Sequence, residues 1–352
     1  MAMPARAWRG SSLGMPALER RDREVRSLKI AAEERPRRPV RPARRGDDRG
    51  GRELTSASST SGREGRRVFL LALAVASSPA LCLPHKASAA VAVIKPELSP
   101  DFTSFDRTDP NLRTAYEMIQ AALRAEDVQA EEEAWSAVIS RFETSIGKAN
   151  WAADAVGRAY GNRGNCLARQ GKFQAAISDY NKSIELCPYS VDPVLNRGVA
   201  FEGIREYELA IQDYRAVLDV SPSDPAAWNN FGNANAALQN WDVALDAFSK
   251  AIAMSNFFSF ASVNYATILF QRGSDQEAIR EFRKILIKYP SFTDARAALA
   301  IALWLTGDRS GAETQWYRVE DSRYADVEWL TETRHWPPRL VQGMKEFRGI
   351  VV

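Results

Sequence analysis

Four asparagines, Asn162, Asn196, Asn230 and Asn264, follow one another at intervals of 34 residues, each inside a segment with helical apolar spacing. Asparagine in a helix interior costs roughly a few tenths of a kcal/mol relative to alanine, because its amide competes for backbone groups. Four at one interval therefore call for a use. A carboxamide carries both a donor and an acceptor, so a row of them can pair with the N–H and C=O of an extended chain whatever that chain's side chains are. Asn165 and Asn233 stand one turn further on from two of the four and widen the polar stripe. The competing use is internal: amides bonded to neighbouring helices or loop carbonyls.

Groups for covalent chemistry are scarce. Catalysis needs titratable or nucleophilic side chains that converge on one point. Beyond residue 90 the chain has one histidine, His335, beside Trp336, and a single imidazole makes neither a triad nor a metal site. It is expected at the surface near a C-terminal helix. Cys166 and Cys187 fall midway along the first helix of a hairpin and at the far end of the second. Their levels differ by roughly 14 Å at 1.5 Å per helical residue, too far for a bridge that needs Cα atoms within about 7 Å. Two buried or half-buried free thiols are expected. No glycine-rich phosphate loop, paired metal ligands or H-E-x-x-H array is present. The expectation is a protein without enzymatic activity and without cofactor or metal.

The elements that position the asparagines repeat with them. Segments beginning at Gly157, Val191, Pro225, Ser259 and Thr293 each lie 34 residues after the last. A small residue recurs at Gly164, Gly198, Gly232, Ala266 and Ala300, and a second small column runs through Ala176, Ala210, Ala244, Ala278 and Ala312. Four residues after each of the latter comes an aromatic, Tyr180, Tyr214, Phe248, Phe282 and Trp316, one turn along the same helix face. These rings are expected to fill the space the small residues leave. Pro188, Pro222 and Pro290 close three of the units, since proline cannot continue a helix beyond its first turn.

The pattern resembles the tetratricopeptide family: W-x2-L-G-x2-Y, then A-x3-F, then a closing proline. Trp228, Phe231, Gly232, Trp241, Ala244 and Phe248 match it best, while Arg205 and Gln239 stand where a turn glycine is usual and Asn256 replaces one proline. The resemblance implies an all-α fold, a right-handed superhelical solenoid of helix hairpins spanning residues 157–326, with first helices lining a concave groove. Upstream, residues 113–156 read as a degenerate first helix pair, with Ala134 in the small-column place, and residues 90–112 as an extended linker. Downstream, residues 327–352 read as capping helices and tail, with Leu340, Val341, Met344 and Phe347 along one side. A solenoid needs such a lid to cover its terminal apolar flank.

The asparagine series resembles the ladder in the repeat superhelix of O-linked N-acetylglucosamine transferase, where such residues hold a peptide main chain. A different groove, the carboxylate clamp of related co-chaperones, needs cations on several neighbouring first helices. Here Arg158 and Arg169 offer one repeat's worth, and Ala226 and Asn230 add none. In the last units the same face turns apolar, with Phe260, Phe270, Ile301 and Trp304; these residues fit either a grip on a partner's hydrophobic side chains or packing against the capping helices, and the packing is the expectation.

The first 67 residues hold seventeen Arg and one Lys with few large apolar residues, so they cannot bury a core. They read as a disordered leader of chloroplast-transit type. Residues 68–89 follow Arg66-Arg67 with an apolar run too short to cross a bilayer comfortably and end on Ala87-Ser88-Ala89, the parts of an export signal. The two in series resemble the bipartite leader of proteins moved into the thylakoid lumen. Past Ala90 acidic residues outnumber basic ones, which argues against nucleic acid as partner. An RNA-binding helical repeat would need a 35-residue period and a basic groove. The expected partner is another protein, an extended segment or unassembled subunit of a membrane complex, with no small-molecule substrate and at most peripheral membrane contact. The resemblance to plastid tetratricopeptide assembly factors implies help in assembling or maintaining a photosynthetic complex. The alternative is a stable adaptor that recruits an enzyme, protease or chaperone component.

Overall fold

The computed structural model describes residues 92–254 and 259–351. The leader readings, on residues 1–89, lie outside the described residues. A first hairpin pairs α1 (Pro110–Leu123) with α2 (Val128–Phe142). Five hairpins follow: α3 (Ala152–Arg169) with α4 (Phe173–Leu186), α5 (Asp192–Gly203) with α6 (Tyr207–Val220), and α7 (Pro225–Ala237) with α8 (Trp241–Met254). The last two are α9 (Ser259–Gln271) with α10 (Asp275–Lys288) and α11 (Thr293–Leu305) with α12 (Arg309–Trp316). α13 (Val327–Glu332) and α14 (Pro338–Val351) close the chain. The eight-residue excess between Ala134 and Ala176 over the 34-residue period is absorbed by a 3-10 turn, Glu143–Ser145, and by the early start of α3.

Helix ends follow local chemistry. Asp127 caps α2 by accepting from Ala130 N (2.8 Å), and Asp224 caps α7 by accepting from Ala226 N (2.8 Å) with Pro225 at its first position. α4, α6 and α10 stop just before Pro188, Pro222 and Pro290. Inside each repeat the turn between the two helices needs one left-handed residue. Gly171, Gly273 and Gly307 supply it at φ 76°, 86° and 92°, and Arg205 and Gln239 adopt it at φ 64° and 60°.

The two small columns do what their spacing implies. Ala176, Ala210, Ala244, Ala278 and Ala312 are all fully buried. A Cβ added at Gly164 would lie 2.7 Å from the Tyr180 ring, at Gly198 2.5 Å from Tyr214, and at Gly232 2.6 Å from Phe248. Ring and glycine thus form one packed unit, repeated down the array.

Each helix packs on its hairpin partner and on the next repeat, and the first helices also approach each other in sequence, α3 with α5, α5 with α7, α7 with α9 and α9 with α11. That closer side is the concave wall. The segment expected as an extended linker, 90–112, is broken by 3-10 turns at Pro96–Leu98 and Phe102–Ser104, enters α1 at Pro110, and is packed: Ala92, Ile94 and Phe105 are buried, and Lys95 N donates to Pro188 O (2.8 Å). At the other end α14 lies on α9 and α11, so it covers concave wall as well as the terminal repeat. Leu340, Val341, Met344 and Phe347 are all buried, as their spacing implied. Trp304 meets the Phe347 ring edge-on at 5.1 Å, and Arg339 lies over Phe270 at 4.1 Å. Phe270, Ile301 and Trp304 are therefore core beneath the capping helix, whereas Phe260 is half-buried and meets the Phe292 ring at 5.1 Å.

Candidate peptide-binding groove

The asparagines stand on the first helices and bond across repeats. Asn196 Nδ2 donates to Asn165 Oδ1 (2.9 Å), and Asn264 Nδ2 donates to Asn233 Oδ1 (2.9 Å) and Asn229 Oδ1 (3.3 Å). Asn229 Nδ2 reaches Asn230 Oδ1 (3.3 Å), and Asn162 Nδ2 turns back to Arg158 O (3.0 Å). Internal bonding therefore uses part of the stripe. It leaves one end of three ladder members without a partner among the described residues: the Oδ1 of Asn162 and Asn196 and the Nδ2 of Asn230. Tyr289 Oη is the one side-chain polar atom among the described residues that is both buried and unbonded, so these three amide ends reach solvent. Asn264 differs, because its Oδ1 also accepts from Arg334 Nη2 (3.1 Å).

Charge on this wall is neutralised in place. The Arg158 guanidinium meets both oxygens of buried Asp154 at 2.9 Å and lies 5.7 Å from the centre of the Phe102 ring. Arg169 is paired with Glu131 of α2. The two cations that a carboxylate clamp would need are thus bound to the protein's own carboxylates. Two further ion pairs tie helices within a repeat: Arg163 to Asp179 (2.7 and 2.8 Å) and Arg197 to Asp213 (2.8 and 2.6 Å). Both are bidentate, and both members recur at the 34-residue interval, which is the signal by which the sequence alone marks them.

The aromatic column also needs acceptors. Tyr180 donates its hydroxyl to Asn165 Oδ1 (2.8 Å). In the next repeat Val199 occupies the place of Asn165, and Tyr214 donates instead to half-buried Glu202. Burial pushes the Glu202 carboxyl up to about 7, against the opposing pull of the Tyr214 hydrogen bond.

Models of the tetratricopeptide repeat match residues 157–190, and again 195–257 and 263–326. The matched stretches are tetratricopeptide repeats. Mouse sperm-associated antigen 1 is 37% identical over 73 residues, covering 21% of this chain and 8% of that protein, and the human protein is 36% identical over 55 residues, 16% of this chain and 6% of that one. The chain spans less than a tenth of the length of these curated relatives. A tetratricopeptide repeat protein from Parabacteroides merdae superposes with a TM-score of 0.52 at 18% identity, over 68% of this chain and 94% of that one, which shows the shared fold. YrrB, described as a tetratricopeptide protein with an unusual peptide-binding site, gives 0.42 at 16% identity, over 58% of this chain and 97% of its own.

Within this tetratricopeptide array the two thiols are inert. Cys187 Sγ packs where a Gly157 Cβ would stand, 2.4 Å away, and burial pushes its thiol up to about 12. Cys166 is buried, its thiol pushed up to about 11, and it accepts from Arg169 Nη2 at 3.3 Å. Both are free. His335 is exposed, as its sequence position implied, but it stands at φ 54° in the left-handed region.

Proposed function

We propose that this protein is a non-enzymatic scaffold that holds an extended polypeptide against α3, α5 and α7, and that it aids assembly or maintenance of a photosynthetic complex. Tetratricopeptide arrays are protein-binding scaffolds, and this one has the helix-hairpin wall that such binding uses. The observation that carries the proposal is the set of unspent amide ends on Asn162, Asn196 and Asn230, two acceptors and one donor facing solvent from successive first helices. An extended chain offers matching N–H and C=O groups at every residue. With Arg158 and Arg169 already paired, the wall favours main chain over an acidic terminus.

The photosynthetic part rests on the Arg66-Arg67, apolar run and Ala87-Ser88-Ala89 sequence before the array, which supports a place in the thylakoid lumen or at the thylakoid membrane surface. Importing the labelled chain into isolated chloroplasts and treating the thylakoids with protease tests this. A protected fragment beginning near Ala90 is expected. A full-length or digested product removes the lumen, moves the protein to the stromal face or out of the plastid, and takes away the main support for a photosynthetic partner.

A further inference from the structure

Arg334, in the turn between α13 and α14, comes back across the concave wall and inserts at the positions where the earlier repeats face solvent. Its Nε lies 3.0 Å from Asp294 Oδ2, its Nη2 bonds the same carboxylate, and Nη2 also donates to Asn264 Oδ1 (3.1 Å). Asp294 is only 2% exposed, and its other oxygen accepts from Trp336 Nε1 (3.3 Å). Asp294 is the second residue of its repeat and Asn264 the sixth of the one before, the places held by Arg158 and by Asn162, Asn196 and Asn230 in the first three. His335 stands between the two side chains that converge on this carboxylate, and its left-handed backbone turns both of them inward. Glu332, just before, pairs with Arg205 in the turn of the second repeat, so the tail ties the last repeats to the middle of the array.

We infer that Asp294, Asn264 and Trp336 form a guanidinium-binding site in the concave wall, filled in cis by Arg334, so that the tail acts as an internal ligand of the last two repeats. A buried carboxylate without a cation is costly, and the planar guanidinium brings both Nε and Nη2 to the one oxygen Asp294 Oδ2 while Nη2 also holds Asn264, an arrangement an ammonium does not reproduce. Asn264 spends both N–H groups on Asn229 and Asn233 and its oxygen lies under this guanidinium, so it has no donor left for a partner. The groove open to another chain is therefore confined to α3, α5 and α7 and ends at Glu332. That limit on the groove rests on the peptide-binding reading above, whereas the guanidinium site stands without it.

Chemical rescue of the full chain tests the site with no partner present. Arg334→Ala is expected to lower the melting temperature by about 5 °C or more, and millimolar ethylguanidinium is expected to restore at least half of the loss, with ethylammonium restoring less. The Arg334→Ala, Asp294→Asn double variant is expected to show no rescue. Ethylguanidinium that leaves Arg334→Ala unchanged, or raises the double variant equally, overturns the site. If Arg334→Ala does not fold, Arg334→Lys is read by hydrogen exchange: residues 322–336 are expected to exchange faster while α3 to α8 stay unchanged, and an increase throughout the array refutes an internal ligand.

Discussion

At Gln239 the backbone takes φ 60° in the turn where three other repeats have glycine at φ 76°, 86° and 92°. A side chain in the left-handed region costs roughly 1 kcal/mol relative to glycine, against the smaller gain from a stiffer unfolded chain. Gln239 is exposed, and its side chain makes no hydrogen bond to another described residue, so nothing offsets that cost. Gln239→Gly is expected to stabilise the array by about 0.5–1 kcal/mol, read as a rise in the denaturant midpoint with unchanged slope. Arg205 shares the conformation but pairs with Glu332, so replacing it confounds relief of strain with loss of the tie. The sequence marked both positions as departures from the turn glycine, because one column at a fixed interval exposes its own exceptions.

Helix pairs are held by small columns and rings, and the polar tip of each ring then has to find an acceptor. Tyr180 finds Asn165, whose oxygen also accepts from Asn196 of the next repeat; where valine replaces that asparagine, Tyr214 turns to Glu202; Phe248 has no hydroxyl, and the Asn233 oxygen accepts from Asn264 of the next repeat alone. One substitution along a helix thus reroutes the hydrogen bond between two. The rerouting has a pH signature. An unfolded Glu202 ionises near 4.5, whereas the folded group stays protonated to about 7, so between these values the folded state binds more protons and stability falls as pH rises. Above about 7 the dependence ends. Glu202→Gln keeps an acceptor for Tyr214 without a carboxyl to ionise. Relative to it, the wild type is expected to lose up to about 2 kcal/mol on going from pH 5 to 7.5, measured by denaturant unfolding at each pH. Parallel pH profiles for the two proteins contradict this assignment.

For the whole molecule, the hairpin array was legible in advance because its signals are periodic: Ala176 to Ala312, Tyr180 to Trp316 and the closing prolines each repeat a local geometry. The capping helices were legible as well, from Pro-Pro at their junction and from Leu340, Val341, Met344 and Phe347 on one side. Their path was not. Asp294 and Arg334 are 40 residues apart and Arg334 lies outside the repeats, so no period announces their pairing, and only the folded chain shows that the tail turns back over the concave wall. The ladder was legible as a column of asparagines, but not how each amide divides its bonds. That division depends on neighbours 31 residues away, such as Asn165 for Asn196, and on which ring beside it carries a hydroxyl. Arg163–Asp179 and Arg197–Asp213 were legible in principle, since both members recur, yet two matching charges draw less notice than five matching alanines.

The most direct measurement of the central claim is capture of partner chains from solubilised thylakoids by the wild-type protein and by the Asn162→Ala, Asn196→Ala, Asn230→Ala triple variant, side by side. Each substitution removes one solvent-facing amide end and one internal hydrogen bond, and alanine's better helix propensity offsets part of that loss, so the melting temperature is expected to hold within a few degrees. Retained partner is expected to fall about tenfold or more, the loss of roughly 1.4 kcal/mol of main-chain hydrogen bonding. Equal capture by a triple variant that folds like the wild type contradicts recognition of an extended chain by these amides.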